Sequence, residues 1–129
     1  MCGIAGYFGT KSIDIKKIKS TLRLMRERGP DAREFYIKKV EKKNLYFLHS
    51  RLSVIDLKKR SNQPYHFKNY LMVFNGEIYN FLHLKNYLIK NGYYFSTTSD
   101  TEVLIKMYDH LGEKAFDKLD GMWAITIFD

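Results

Sequence analysis

Apolar positions follow two patterns along the chain: short runs of strand length, and stretches in which they recur every three or four residues. The glycine-punctuated run "GIAGYFG" at 3–9 predicts a buried strand that another backbone or a ligand could approach closely. In "DIKKIKSTLRLMRERG", Ile15, Ile18, Leu22 and Met25 fall at helical spacing, with Asp14 as N-cap and Gly29 just past the end. "EFYIKKVEKKNLYFLHS" reads as a β-hairpin around a charged turn, "RLSVIDL" as a third extended segment, and proline-containing "NQPYHF" as a loop. "YLMVFNGEIYN" is an apolar strand ending in Asn-Gly. That pair ordinarily announces a hairpin, but "NFLHLKNYLIKNG" has helical spacing, so Asn75-Gly76 is predicted to turn the strand into a helix that ends at Gly92.

"YYFST" predicts a short strand and "SDTEVLIKMYDHLG" a helix, with Ser99 and Glu102 spaced for a capping box and Gly112 at the end. Its apolar face is Val103, Leu104, Met107, Tyr108 and Leu111. "EKAFDKL" continues helically, Asp120-Gly121 turns, and "MWAITIF" predicts a buried strand.

Composition narrows the class. The length of 129 residues suits one domain, and 45% hydrophobic with 16% aromatic residues is globular. No apolar run reaches the ~20 residues needed to cross a bilayer, and no basic leader precedes an apolar stretch, so the expectation is a soluble protein without a membrane partner. A single cysteine forms no internal disulfide, which makes the cytoplasm the default location. The net charge of +8 is spread over "KKIK", "KKVEKK" and "DLKKR", which read as solvated faces and not as a nucleic-acid interface. The four histidines, at 49, 66, 83 and 110, lack metal-ligand spacing, and "GIAGYFG" lacks the lysine and hydroxyl residue of a phosphate loop. These residues imply no metal or nucleotide. His49 is expected to be packed or hydrogen-bonded beside Arg51.

The one thiol stands directly behind the start methionine. An isolated cysteine is most often a small buried hydrophobe, and terminal residues are usually frayed. Removal of Met1 would instead give Cys2 a thiol beside a free α-amine, titrating near ~8.5 and ~8, so that nucleophile and base sit on one residue. Both readings stand on the residues alone.

The stretches "MCGIAGYFG", "RGPD", "HSRLSVIDL", "QPY", "FNGEIYN", "TSDTEVL" and "LDGMWAITIFD" together resemble the N-terminal glutaminase domain of glutamine-hydrolysing asparagine synthetases. The resemblance spans essentially the whole chain and favours the nucleophile reading of Cys2. Sister families of the class II glutamine amidotransferases share the Cys2 to Gly6 and "SDTEV" stretches but differ where this chain has "HSRLSVIDL" and "FNGEIYN". One departure is Glu27 in "RERGPD", where the family usually carries His.

The resemblance implies an α+β fold, the four-layer αββα sandwich of N-terminal-nucleophile hydrolases. It implies a single glutamine amidotransferase domain over residues 1–129 whose C-terminal strands are missing, with a "RDRxGxKPLYY"-like region and the "SGGxDS"-like loop of the synthetase domain both absent. A chain lacking those strands is expected to be at best a weak glutaminase.

The implied substrate is L-glutamine, hydrolysed through a Cys2 thioester, with the Asn75 side chain and the Gly76 N–H as the oxyanion hole. Arg51 is the implied clamp for the substrate α-carboxylate, because a guanidinium fork matches a carboxylate. Asp100, with Glu77 nearby, is implied for the α-ammonium, although Asp before a helix is also a good cap. Leu52, Ser53, Val54 and Ile55 complete the implied binding stretch, and Val54 and Ile55 could equally be strand core. This domain would need no cofactor, and ATP and Mg belong to the synthetase domain normally on the same chain. The resemblance also allows a homodimer in the intact enzyme. A catalytically silent remnant, or an amidotransferase acting on an acceptor other than aspartate, remains an alternative.

Overall fold

The computed structural model describes residues 1–129. Six strands form two three-stranded antiparallel sheets. The first holds β1 (Gly3–Gly9), β2 (Ala32–Val40) and β3 (Lys43–Arg51) in the order β1-β3-β2. The second holds β4 (Tyr65–Phe67), β5 (Tyr70–Ile78) and β6 (Gly121–Phe128) in the order β4-β5-β6. Helix α1 (Ile15–Leu24) covers the first sheet, while α2 (Phe81–Lys90) and α3 (Asp100–Leu111) cover the second.

The layering follows from the two-residue period of the central strands. On β3, Tyr46 and Leu48 pack with Ile18 and Leu22 of α1, while Leu45 and Phe47 face the other sheet and meet Leu71 and Val73 of β5. The alternate β5 positions, Met72 and Phe74, pack under Leu84, Leu88, Val103, Leu104 and Met107 of the two helices. Both central strands are therefore covered on both faces, and residues 45–51 are all buried. The architecture is the αββα sandwich of the expected α+β class.

Several local expectations change in three dimensions. "RLSVIDL" is not a strand, because only Arg51 remains in the β3 ladder and the chain then loops around that side chain. "NQPYHF" contains the short strand β4, whose Tyr65 and Phe67 pack on the second core. "YYFST" forms no strand: Tyr94 is 90% exposed, and the N–H groups of Ser96 and Thr97 go to the Glu102 carboxylate, not to a sheet. This also dissolves half of the expected capping box. Ser99 Oγ accepts from Thr101 N–H at 3.1 Å as a cap should, whereas Glu102 turns to the preceding loop and to Lys106 at 2.6 Å.

Asn75-Gly76 is not a turn either. β5 runs through both residues, pairing Asn75 with Ala124 and Gly76 with Trp123, and the chain enters α2 only after Tyr79 and Asn80. β1 and β6, expected to be buried, are partly open because each is an edge strand. In β6, Met122 and Trp123 are 48% and 39% exposed. On α1, Ile15 is exposed while Ile18 and Leu22 carry the packing, and on α3 Ile105 joins the buried face.

Candidate active site

A pocket of about 180 Å³ lies where the carboxyl ends of β3 and β5 meet the start of β1 and the N-terminus of α3. It is lined by Cys2, Arg51, Leu52, Val54, Ile55, Gly76, Glu77 and Asp100 among the residues singled out from the sequence. Asn75 and Ser53 are close in sequence but do not line it. Met1 does line it, still joined to Cys2.

Cys2 is held from two sides. The Leu52 N–H points at its sulfur, 3.3 Å away, and Sγ lies 3.7 Å from the Leu52 carbonyl oxygen. Arg28 Nε donates to the Cys2 carbonyl at 3.1 Å. The "RGPD" stretch reaches this position because it packs backbone against backbone: a Cβ on Gly29 would stand 2.1 Å from the Ser50 carbonyl oxygen, so only glycine fits. Ser50 Oγ closes the contact by donating to Gly29 O at 2.7 Å. Asp31 then accepts from Ser53 N–H at 2.6 Å, which places Ser53 as a support behind the pocket wall. Glu27, the departure from the family pattern, is 82% exposed in its side chain and pairs with Arg26.

Arg51 is buried at the end of β3, but its fork is already occupied. One terminal nitrogen donates to Lys58 O at 3.0 Å and Asn62 Oδ1 at 2.8 Å, and the other to Ile55 O at 3.1 Å and to Asp56 O. The guanidinium thus organises the loop that supplies Leu52, Val54 and Ile55, leaving Nε–H as its one donor without a protein partner. The expected two-pronged grip on a carboxylate is not available in this arrangement.

The opposite wall is acidic. Asp100 is 6% exposed and accepts from Ile78 N–H at 3.2 Å and from the Ser99 hydroxyl at 3.4 Å. Burial pushes its carboxyl above the ordinary range against these hydrogen bonds, and the nearby Glu77 charge pushes it the same way. Neither Asp100 nor Glu77 is in an ion pair, and a cation placed between them would offset their mutual repulsion.

On β5, a Cβ at Gly76 would lie 2.1 Å from the Met122 carbonyl and 2.7 Å from Trp123 Cα, so β6 can pass close only because residue 76 is glycine. The Asn75 Oδ1 is buried without a hydrogen-bond partner. Buried amides are nearly always satisfied, and this oxygen is an exception.

Three lining residues carried no signal of their own in the sequence. Gln63, in the "QPY" stretch beside a cis bond to Pro64, accepts from Phe74 N–H at 2.6 Å and reaches Thr101 Oγ1 at 3.4 Å. It ties β5 to α3 behind the pocket, as Phe74 and Thr101 line it from either side. His49 is buried and hydrogen-bonded to Phe74 O at 3.1 Å. Burial lowers its pKa from 6.5 to about 4, which leaves it neutral in the support layer. No group of three or more His, Cys, Asp or Glu side chains is placed to hold a metal ion, and no helix is long and apolar enough to cross a membrane.

The family profile described as "Glutamine amidotransferase domain" matches residues 1–129. The chain is 38% identical over 136 aligned residues to asparagine synthetase [glutamine-hydrolyzing] 1 of Bacillus subtilis, covering all of this chain and 21% of that protein. It is 35% identical to asparagine synthetase B [glutamine-hydrolyzing] of Escherichia coli, again over its whole length and 23% of the relative. The chain therefore spans about a fifth of these curated relatives' length. Among solved structures, the glutamine phosphoribosylpyrophosphate amidotransferase of B. subtilis superposes with a TM-score of 0.71 at 19% identity, over 96% of this chain and 35% of that one. The last likeness shows a shared fold.

Proposed function

Because this chain belongs to the glutamine amidotransferase domain family, we propose that residues 1–129 form a domain that hydrolyses the side-chain amide of glutamine with Cys2 as nucleophile. The single observation that carries the reading is the meeting of a thiol at residue 2 with Asp100 and Glu77 in one small pocket. Once Met1 is excised, the Cys2 α-amine takes the thiol proton and Sγ attacks the amide carbon. The same amine returns the proton to the departing ammonia, and water then hydrolyses the thioester to glutamate. The Leu52 N–H beside the sulfur fixes where Sγ sits for that attack.

The Asn75 side chain and the Gly76 N–H serve the oxyanion, where one such donor is worth about 3 kcal/mol of barrier. Asp100 and Glu77 receive the α-ammonium. Arg51 serves the α-carboxylate through its Nε–H and through the loop it holds. In the intact protein the ammonia passes to an ATP-dependent synthetase region, with aspartate as the acceptor suggested by the names of the relatives. The domain's own steps draw on these side chains, the Cys2 α-amine, the Gly76 N–H and water.

Intact mass and a glutamate-release assay test the reading together. The expected outcome is a mature chain beginning at Cys2 that releases glutamate, and a Cys2→Ala variant that folds but releases none and escapes labelling by a diazo-ketone analogue of glutamine. Activity in a form that retains Met1 would overturn the mechanism. A mature, folded wild type that binds glutamine without releasing glutamate would support a silent binding domain instead.

A further inference from the structure

Asp56 lies outside the pocket and is one of three non-glycine residues with positive φ, at 50°. Its carboxylate is 1% exposed and collects donors from two separate segments. Oδ1 accepts from Lys58 N–H at 3.2 Å within its own loop. Oδ2 accepts from Thr98 N–H at 2.9 Å, forty-two residues away in the segment leading into α3, and from Arg60 Nε at 3.0 Å. The backbone carbonyl of the same residue accepts from the Arg51 guanidinium. One residue thus touches the loop that forms one pocket wall, the arginine that organises that loop, and the segment that delivers Asp100 to the opposite wall. Burial works to raise this carboxyl, but the Thr98 and Lys58 N–H groups, with Ser61 and Arg60, outweigh it and hold the group well below the ordinary carboxylate range, so it stays charged.

We propose that Asp56 is a positioning residue that locks the loop 52–62 to the segment 96–99 and so sets the distance between the two walls that grip the ends of the substrate. The identity of that substrate rests on the glutamine reading above; the mechanical link does not. Both carboxylate oxygens face donors, so no neutral replacement can satisfy them. In Asp56→Asn the backbone is tolerated, since Asn accepts positive φ, but the amide sets an NH2 against a donor at one of the two oxygens.

The test uses the processed protein with Asp56→Asn and, as a control, Arg60→Gln, whose side chain is 43% exposed. For Asp56→Asn the expected result is a KM for glutamine raised about tenfold or more with kcat changed less than about threefold, the signature of lost ground-state positioning. The alkylation rate of Cys2 by iodoacetamide, which needs no wall spacing, should stay at the wild-type value. Arg60→Gln should leave KM within about threefold, because the Asp56 carboxylate keeps the Lys58 and Thr98 N–H donors that tie the two segments together. Amide hydrogen exchange supplies the readout that does not depend on turnover: residues 52–62 and 96–99 should lose protection together. Exchange that rises in one segment alone or in neither, or an unchanged KM in an active protein, overturns the proposal. A folded wild type that neither binds nor hydrolyses glutamine sinks the glutamine reading, and the exchange result then decides the positioning role by itself.

Discussion

Arg51 shows how a side chain's surroundings decide what its charge does. A guanidinium has five N–H donors, and four contacts from its terminal nitrogens go to Lys58, Asn62, Ile55 and Asp56 in the following loop. An ammonium at the same place has three donors and no planar fork. Arg51→Lys should therefore lower stability by about 1 to 3 kcal/mol, the cost of losing charge-assisted hydrogen bonds to partly buried acceptors, and should raise the KM for glutamine as well. Urea unfolding with intrinsic Trp123 fluorescence reads the first effect and steady-state kinetics the second. A stable Arg51→Lys protein with only a raised KM would show that the loop contacts are incidental and that the side chain serves the substrate alone. At this scale the sequence was legible for residue identity and silent on engagement: "RLSVIDL" contains both Arg51 and Asp56, yet nothing in it says that one wraps the other.

At the scale of the element, β5 is the clearest case of tertiary pairing overriding a local signal. Asn-Gly favours positive φ and tight turns, but β6 arrives from much later in the chain and extends the ladder through both residues. The contact is so close that a methyl group does not fit. Gly76→Ala is expected to separate β5 from β6 locally and to cost about 3 kcal/mol or more of stability, with loss of glutaminase activity beyond that explained by unfolding. Thermal melts and activity measured well below the melting temperature separate the two. A Gly76→Ala protein with wild-type stability would mean that β6 can shift without consequence. Helix α3 makes the complementary point. Its helical period was plain, but burial of all residues from Asp100 to Met107, including the Glu102–Lys106 pair, required the loop 94–97 to supply carbonyl and N–H partners.

The whole molecule carries a pH dependence whose sign follows from His49. Its folded pKa is lowered from 6.5 to about 4 by burial, so the unfolded chain binds a proton there that the folded chain refuses. Stability is complete above about pH 6.5 and is lost as pH falls toward 4, by about 3 kcal/mol at ~1.4 kcal/mol per unit. Asp100 acts in the opposite sense, because its raised pKa lets the folded state take up a proton first. Burial works to raise Glu102 and Asp109, but Lys106 and Lys68 hold both below the ordinary range, so their losses are added only at lower pH. Urea midpoints at pH 7.5, 6 and 5 should fall monotonically, and the fall should shrink in His49→Gln. A pH dependence of the midpoints that is the same in wild type and His49→Gln would exclude a buried neutral histidine.

The sequence by itself determined the helices, the central strands and the identity of the chemistry-bearing residues, because periodicity and caps are local properties and the family stretches lie in order along the chain. Tertiary structure alone decided three things. It chose the loop state of "RLSVIDL" and "YYFST", because a strand needs a partner and none is within reach. It opened β1 and β6, because burial depends on position in a sheet and not on apolar content. It brought Cys2, Arg51, Gly76 and Asp100 to one pocket, because stacking two antiparallel sheets gathers chain segments far apart in sequence at the same end of the sandwich.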